Sequence, residues 1–199
     1  MTADGATPLD PAEAEGLIPP HIVTRGELNE AEEANIARGF AWGVLAVRRR
    51  DPLADDRFVY ELHRRMFGSV WAWAGEVRRS DKNIGIGRFL ICAEVRNAMA
   101  DAFEWRRSGA FSPDESAVRL HHRLVFIHPF PNGNGRHARM MADLCLIRER
   151  LPPLDWGRAE ALRLSTDTLR RRYIAALRAA DAGGYGPLLS FARRGEALP

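Results

Sequence analysis

Residues 128–139 read HPFPNGNGRHAR, and this stretch carries most of what the chain says about its fold and function. It lies between two segments whose apolar residues recur at helical spacing. A glycine-rich backbone that opens onto a helix N-terminus is an anion site, because several N–H groups converge there and the helix dipole adds positive potential. Arg136 can offer a planar fork of donors to a phosphate, and His128 can exchange a proton near neutral pH. The stretch therefore indicates phosphoryl or nucleotidyl transfer.

The same stretch resembles the signature of the Fic family, H-x-F-x-(D/E)-G-N-G-R-x-x-R. It departs from that signature at Asn132, where the family usually has Asp or Glu. Residues 62–78 read LHRRMFGSVWAWAGEVR and are similar to the phrase that precedes the family's core, so the resemblance covers about 55–150. The matching signature positions are His128, Phe130, Gly133, Asn134, Gly135, Arg136 and Arg139.

This resemblance implies an all-α fold, a Fic-type helical bundle with a small β-hairpin flap, and a defined reaction. ATP would bind on the 128–139 stretch, and AMP would pass to a Ser, Thr or Tyr hydroxyl of a target protein. His128 would take the hydroxyl proton and Arg136 would grip the terminal phosphates, so these two are the expected catalytic residues. Arg139 would touch phosphate or brace a carboxylate, and both roles stay open. The expected nucleotide-binding residues are Asn132, Gly133, Asn134, Gly135, Arg136 and Arg139.

Asn132 bears on the expected Mg²⁺, the cofactor that would accompany ATP. The family's acidic residue at this place binds the ion, and Mg²⁺ prefers carboxylate or phosphate oxygens and water. An amide oxygen can ligate it without the negative charge, so Asn132 is the expected metal residue of this chain. The alternative is a catalytically weak nucleotide-binding or interaction module on a Fic scaffold. A family variant that transfers phosphate has lysine where this chain has Gly135, which favours AMP transfer here.

Residues 77–90, VRRSDKNIGIGRFL, break the helical pattern and predict a β-hairpin. Their place matches the flap of Fic proteins, which pairs with an extended segment of the target. The expected target-binding residues of this flap are Arg79, Ser80, Lys82, Asn83 and Ile84.

Control of the activity is a further expectation from the resemblance. Many Fic proteins have an inhibitory helix, (S/T)-x-x-x-E-(G/N), whose glutamate blocks the phosphate-clamping arginine. Glu33 lacks the required Ser or Thr four residues earlier, and so does Glu15. Residues 7–36 are similar to a bacterial Fic subgroup called mobile mystery protein B, whose members pair with a small helix-turn-helix protein. Restraint by a separate antitoxin protein, in a toxin–antitoxin pair, is therefore the expectation.

Composition bounds the remaining possibilities. The length of 199 residues suits one domain, expected as a single Fic-type domain over 26–199. The prolines and the lack of periodicity in residues 1–25 predict an extended arm packed on that domain. The net charge of +3 and the mixing of basic with acidic residues disfavour nucleic-acid binding. The chain shows neither a signal peptide nor an apolar stretch near the ~18 residues that a membrane span needs, so a cytoplasmic location without a membrane is expected.

Apolar spacing and capping signals predict the helices themselves. We expect helices from about 26 to 50 and from 91 to 107, and between them a helix capped by Asp55 or Asp56 with Met66 on its inner side. Ser112, followed by Pro113 and Glu115, predicts the start of a helix that runs to about Ile127. Further helices are expected from Gly135 to before Pro152, over about 158–180, and after Pro187.

Overall fold

The computed structural model describes residues 16–22, 24–162 and 164–193, and these form an all-α fold. Single 3₁₀ turns occupy Arg88–Leu90 and Glu160–Leu162. Within the described ranges the extended pairing consists of one antiparallel bridge between Leu17 and Trp71. The predicted helical fold class is thus confirmed. The α-helices are α1 (Arg25–Val47), α2 (Arg57–Phe67), α3 (Ile91–Ser108), α4 (Pro113–Ile127), α5 (Asn134–Arg148), α6 (Thr166–Asp181) and α7 (Gly186–Ala192).

Two apolar clusters hold these helices together. The larger cluster lies where α1 and α2 pack against each other and against α5, and where α3 packs on α4. The smaller cluster lies beneath α6 and α7, which cover α4 and α5 from the other side. Fully burying one aliphatic or aromatic side chain contributes about 1.5–3 kcal/mol. The α4–α5 pair is therefore fixed from both sides, and the 128–139 stretch joins these two helices.

The ends of α4 set the position of His128. At the N-terminus, the Ser112 hydroxyl accepts a hydrogen bond from the backbone N–H of Glu115, as its sequence signal predicts. At the C-terminus, His128 itself caps the helix in the left-handed region, with φ 55° and ψ 60°. The following Pro129 disfavours a helical conformation at His128, so α4 ends there. The imidazole consequently lies where the helix gives way to the loop.

Residues 16–18 run beside residues 70–72 in extended form. The backbone N–H of Ile18 donates to the Val70 carbonyl at 2.8 Å, and the N–H of Ala72 donates to the Gly16 carbonyl at 2.8 Å. The start of α1 follows at once, with Thr24 and Glu27 forming a reciprocal capping box. Residues 1–15 of the predicted arm lie outside the described residues.

Two sequence predictions are wrong in detail. Residues 77–90 form an irregular segment with bends and a final 3₁₀ turn, not a β-hairpin. In this segment the guanidinium of Arg78 donates hydrogen bonds to the carbonyls of Ser80 and Ile86. A side chain therefore satisfies carbonyls that two paired strands would have bonded through their backbones. The expected helix over 158–180 begins only at Thr166, because Ser165 caps a new helix there.

No helix in the described part of the chain is long and apolar enough to cross a membrane.

Candidate active site

The loop between α4 and α5 is closed by the side chain of Asn134. Its Oδ1 accepts a hydrogen bond from the Phe130 N–H at 2.9 Å, and its Nδ2 donates to the Phe130 carbonyl at 2.8 Å. Asn134 is buried and Phe130 is fully buried, so both hydrogen bonds are shielded from water. The amide thus fixes the loop, and the backbone of Asn134 stays available for a ligand.

Gly133 is required at the point where the loop enters α5. Its φ is +78°, a left-handed conformation that glycine adopts without strain. A Cβ atom there would lie 2.6 Å from the Phe67 ring, so a side chain is excluded by space as well. The first hydrogen bond of α5 runs from His137 N–H to the Gly133 carbonyl at 2.9 Å. The N–H groups of Asn134, Gly135 and Arg136 precede it and have no acceptor within the helix, which makes this terminus an anion cradle.

His63 on α2 binds the backbone of the 128–139 loop and packs against its Phe130 ring. Its Nδ1 accepts the Gly75 N–H at 2.9 Å, so the proton lies on Nε2, which donates to the Asn132 carbonyl at 3.1 Å. The ring also stacks on Phe130 with centroids 3.7 Å apart. Burial and the neighbouring His137 hold the pKa of His63 well below its usual value. A neutral imidazole therefore fixes the loop backbone at Asn132.

His128 is the titratable residue at the start of this largely buried loop, and only 6% of its surface is accessible. Burial, together with the positive charges of Arg78 and Lys82, lowers its pKa to about 4. The imidazole is therefore neutral at physiological pH, which is the form that accepts a proton. His137, the second histidine of the stretch, is buried within the core and bonds the Val59 carbonyl at 2.9 Å. The two histidines thus face different surroundings, and His128 suits proton transfer.

Arg136 makes an ion pair that the sequence did not predict. Its Nη1 lies 2.7 Å from Oε2 of Glu32, a buried residue on α1. The other carboxylate oxygen of Glu32 accepts a hydrogen bond from the Trp71 indole N–H at 2.7 Å. The guanidinium also lies over the Phe67 ring, 5.0 Å from its centroid. Arg136 therefore lies in the first turn of α5, and one of its guanidinium nitrogens is bound to Glu32 on α1.

Arg139 lies one turn further along α5 and faces aromatic rings. Its guanidinium lies 4.4 Å from the Tyr173 ring centroid, and the Tyr173 hydroxyl pairs with His121 Nε2 at 3.0 Å. A Cβ atom on Gly135 would lie 3.8 Å from that hydroxyl, so Tyr173 also borders the loop. Among the residues that the structure describes, no carboxylate lies within ion-pair distance of Arg139. The carboxylate-bracing role therefore finds no partner in the described ranges.

Asn132, the expected metal residue, makes a local contact. Its Oδ1 accepts the Gly133 N–H at 2.6 Å. Across ranges 16–22, 24–162 and 164–193, no group of three or more His, Cys, Asp or Glu side chains could hold a metal ion. One neutral amide oxygen does not make a protein site for Mg²⁺, which takes six oxygen ligands and favours charged ones. The described residues thus fit an ion that a nucleotide carries, and do not fit one that the protein holds alone.

The predicted target-binding residues lie on the irregular segment beside His128. Arg79, Asn83 and Ile84 are exposed, while Ser80 and Lys82 are partly buried. The Ile86 N–H approaches the Ile127 carbonyl at 3.4 Å. A Cβ on Gly85 would lie 2.6 Å from the His128 Cβ, so the segment packs against the base of the His128 side chain. This segment, residues 79–90, is called the flap segment below.

Comparison with known proteins agrees with this arrangement. Residues 54–146 match the model of the Fic/DOC family. The chain belongs to the Fic/DOC family. Its Fic domain is 32% identical over 161 residues to the protein adenylyltransferase fic-1 of Caenorhabditis briggsae, covering 77% of this chain and 29% of that protein. It is 30% identical over 138 residues to the protein adenylyltransferase Fic of Aedes aegypti, covering 67% of this chain and 26% of the relative. The chain thus spans under a third of the length of these relatives.

Solved structures show the same fold as this Fic domain. A Fic-1 fragment from C. elegans superposes with a TM-score of 0.64 at 22% identity, covering 90% of this chain and 51% of that one. BepC from Bartonella tribocorum, solved with bound AMPPNP, gives a TM-score of 0.61 at 17% identity, covering 92% of this chain and 96% of the other.

Sequence reasoning missed several residues around the Fic loop. Glu32 and Trp71 hold Arg136, Tyr173 faces Arg139, and Arg78 links the flap segment to His128. Arg78 ends the LHRRMFGSVWAWAGEVR phrase, so its presence was noted while its contacts were not. The Glu32–Arg136 contact spans 104 residues, and no local pattern signals it.

Proposed function

We propose that this Fic domain transfers AMP from ATP to a hydroxyl group of a protein. The observation that carries the proposal is a neutral, buried His128 at the end of α4, next to a cradle of N–H donors at the start of α5. The relatives that match most of this chain are called protein adenylyltransferases. BepC, which has the same fold, binds AMPPNP. These likenesses support a nucleotide as the ligand of the 128–139 loop.

The loop and two arginines would hold the phosphates. The N–H groups at the start of α5 point outwards along the helix axis, and one preorganised donor is worth about 3 kcal/mol where charge develops. Arg136 would bind the terminal phosphates. To do so, its guanidinium has to bind phosphate and Glu32 together or break its ion pair with Glu32. Arg139 has an aromatic neighbour and no described carboxylate, which supports phosphate contact over bracing.

The reaction would join the target's hydroxyl oxygen to the α-phosphorus of ATP. The bond from that phosphorus to the bridging oxygen of the β-phosphate breaks, and pyrophosphate leaves. His128 takes the hydroxyl proton, because its imidazole is neutral and its side chain lies against Gly85 of the flap segment. General-base help of this kind is worth roughly 10²–10⁴-fold. Mg²⁺ would come with ATP and offset phosphate charge, with Asn132 as its one neutral protein ligand.

The partners of the reaction follow from the surface beside His128. The flap segment is irregular and largely exposed, so its free backbone groups would pair with an extended stretch of the target. Arg79, Ser80, Lys82, Asn83 and Ile84 remain the proposed contacts. A separate antitoxin as restraint and a cytoplasmic location also remain proposals, and they rest on the resemblance and the composition alone.

A second candidate function is a nucleotide-binding module with weak or no turnover. Asn132 supports it, since its amide oxygen is already bonded to the Gly133 N–H and carries no charge for a metal. Incubation of the protein with α-labelled ATP and cell lysate, with and without Mg²⁺, separates the two functions. Label on lysate proteins supports AMP transfer, whereas tight ATP binding without label supports the module.

A further inference from the structure

Arg78 is a buried cation that touches both the loop and the flap segment. Its side chain is completely inaccessible to solvent. On the loop side, its Nε donates to the His128 carbonyl at 2.8 Å, and its backbone N–H donates to the Pro129 carbonyl at 2.9 Å. On the flap side, its Nη1 donates to the Ser80 carbonyl at 2.8 Å and its Nη2 to the Ile86 carbonyl. One planar guanidinium thus bonds three carbonyls that belong to two separate segments.

The partners of Arg78 explain why it is an arginine. Lysine has a single ammonium group, whereas the guanidinium fork presents donors in three fixed directions. Its carboxylate neighbour, Asp81, lies 3.5 Å away and is 59% exposed, so the backbone carbonyls do most of the solvation of the charge. Asp81 also accepts the Arg88 N–H at 2.8 Å and thereby closes the flap segment near its end. A buried cation with this set of partners fixes the relative position of everything it touches.

His128 needs such a fixed position. A non-glycine residue in the left-handed region is strained by about 1–2 kcal/mol, and the surroundings must hold it there. The Arg78 bond to the His128 carbonyl is one such restraint, and the bond to Pro129 is another. Gly85 lies against the His128 Cβ, so any shift of the flap segment changes the space around the imidazole.

We propose that Arg78 is the positioning residue that sets the distance between the target bound on the flap segment and the His128 imidazole. The proposal rests on the proposed AMP transfer for its consequence in catalysis, while the coupling of the two segments is a property of the protein alone. The Arg78 side chain is fully buried, so it would not contact a target bound on the surface of the flap segment. It acts through the carbonyls that it holds.

Amide hydrogen exchange tests the coupling without any substrate. We compare the wild-type chain with Arg78→Met, which keeps the bulk and removes the donors, and with Arg78→Lys, which keeps the charge. Arg107→Met is the matched control, because Arg107 is exposed and pairs with Glu104 on its own helix. Exchange should rise about tenfold or more in residues 79–90 and 126–131 together for Arg78→Met, less for Arg78→Lys, and not for the control. If either segment exchanges its amide hydrogens at the wild-type rate in both Arg78 variants, the proposal is overturned.

Arg78→Met can also lower the stability of the whole domain, which would speed exchange in α1 and α5 as well. In that event the Arg78→Lys variant is the test. The proposal then requires that faster exchange in this variant be confined to residues 79–90 and 126–131. Gly85→Ala perturbs the same junction from the flap side, since a Cβ there would lie 2.6 Å from the His128 Cβ and 3.2 Å from Arg78 Nη2, at a backbone φ of +92°. Gly186→Ala is its control, because Gly186 lies on α7, outside the flap segment, and a Cβ there meets nothing within 4 Å.

Transfer of labelled AMP to lysate proteins completes the experiment. Arg78→Lys and Gly85→Ala should each transfer about tenfold more slowly than Gly186→Ala, with ATP affinity within about twofold of wild type. A loss of ATP affinity equal to the loss of transfer would show a general structural role and would overturn the positioning role. If the wild-type chain transfers no AMP, the proposed function fails, and the exchange result still decides whether Arg78 couples the two segments.

Discussion

The ion pair between Glu32 and Arg136 predicts how tightly the Fic domain binds ATP. Its nitrogen and oxygen lie 2.7 Å apart, the Glu32 side chain is 8% exposed and the Arg136 side chain is 40% exposed. If Arg136 meets the terminal phosphates, each ATP molecule competes with Glu32 for the guanidinium. Glu32→Gln removes the carboxylate charge and keeps an oxygen that can accept the Trp71 N–H. The substitution should therefore release Arg136 with little change in packing.

The magnitude follows from the burial of the two partners. A hydrogen bond to a charged group is worth about 1.5–3 kcal/mol when shielded, and an exposed ion pair about 0.2–1 kcal/mol. Arg136 is partly solvated, so we take about 1 kcal/mol, which corresponds to roughly a fivefold change in an equilibrium constant. ATP should bind about fivefold more tightly to Glu32→Gln, whereas AMP, which lacks the terminal phosphates, should bind as it does to the wild type.

Calorimetry with both nucleotides is the assay. Glu33→Gln is the matched control, because Glu33 is the exposed neighbour of Glu32 on the same helix, whereas Arg136 pairs with Glu32. Arg136→Ala supplies the opposite change and should weaken ATP about tenfold without affecting AMP. Weaker ATP binding by Glu32→Gln, or equal changes for ATP and AMP, would refute the reasoning. Glu32 would then be a brace that holds Arg136 in its working position.

Three further predictions concern the metal, the histidines and Arg139. Asn132→Asp should lower the Mg²⁺ concentration needed for half-maximal transfer, since it adds a charge at nearly constant size; identical Mg²⁺ titrations would place residue 132 away from the metal. Folding lowers the pKa of His128 and of His137 from 6.5 to about 4, so the unfolded chain binds protons first as the pH falls. The free energy of unfolding, measured by urea titration, should therefore fall between pH 7 and pH 5 by about 2 kcal/mol for each histidine; a constant free energy of unfolding would contradict the burial of these rings. Arg139→Ala should weaken ATP and leave the urea midpoint nearly unchanged, and calorimetry with urea titration distinguishes this from a loss of packing against Tyr173.

Local signals in the sequence predicted the helices and the loop well. Ser112 and Pro113 mark the start of α4 because a cap acts on residues three positions away. The glycines of the loop signal their own backbone conformation, and Gly133 does adopt φ +78°. Such features depend on near neighbours in the chain, so the sequence contains them directly.

Features that depend on distant residues were missed or wrong. Asn83, Gly85 and Gly87 suggested a hairpin, but the donors of one buried Arg78 satisfy the carbonyls that a strand pair would have used. Glu32 lacks the expected inhibitory motif, yet the packing of α1 on α5 brings it to Arg136. Tyr173 reaches the loop only because α6 folds back over α4 and α5. Contacts of this kind follow from the tertiary arrangement, and no spacing along the chain encodes them.

Transfer of label from α-labelled ATP, compared between the wild-type chain and His128→Ala, tests the central claim most directly. Both proteins are first shown to bind ATP with similar affinity, because His128 lies beside the phosphate cradle and is not part of it. We expect labelled target proteins with the wild type, and loss of label by about 10²-fold or more with His128→Ala. Transfer at the wild-type rate by His128→Ala would contradict the assignment of the base, and the reaction would then need another residue.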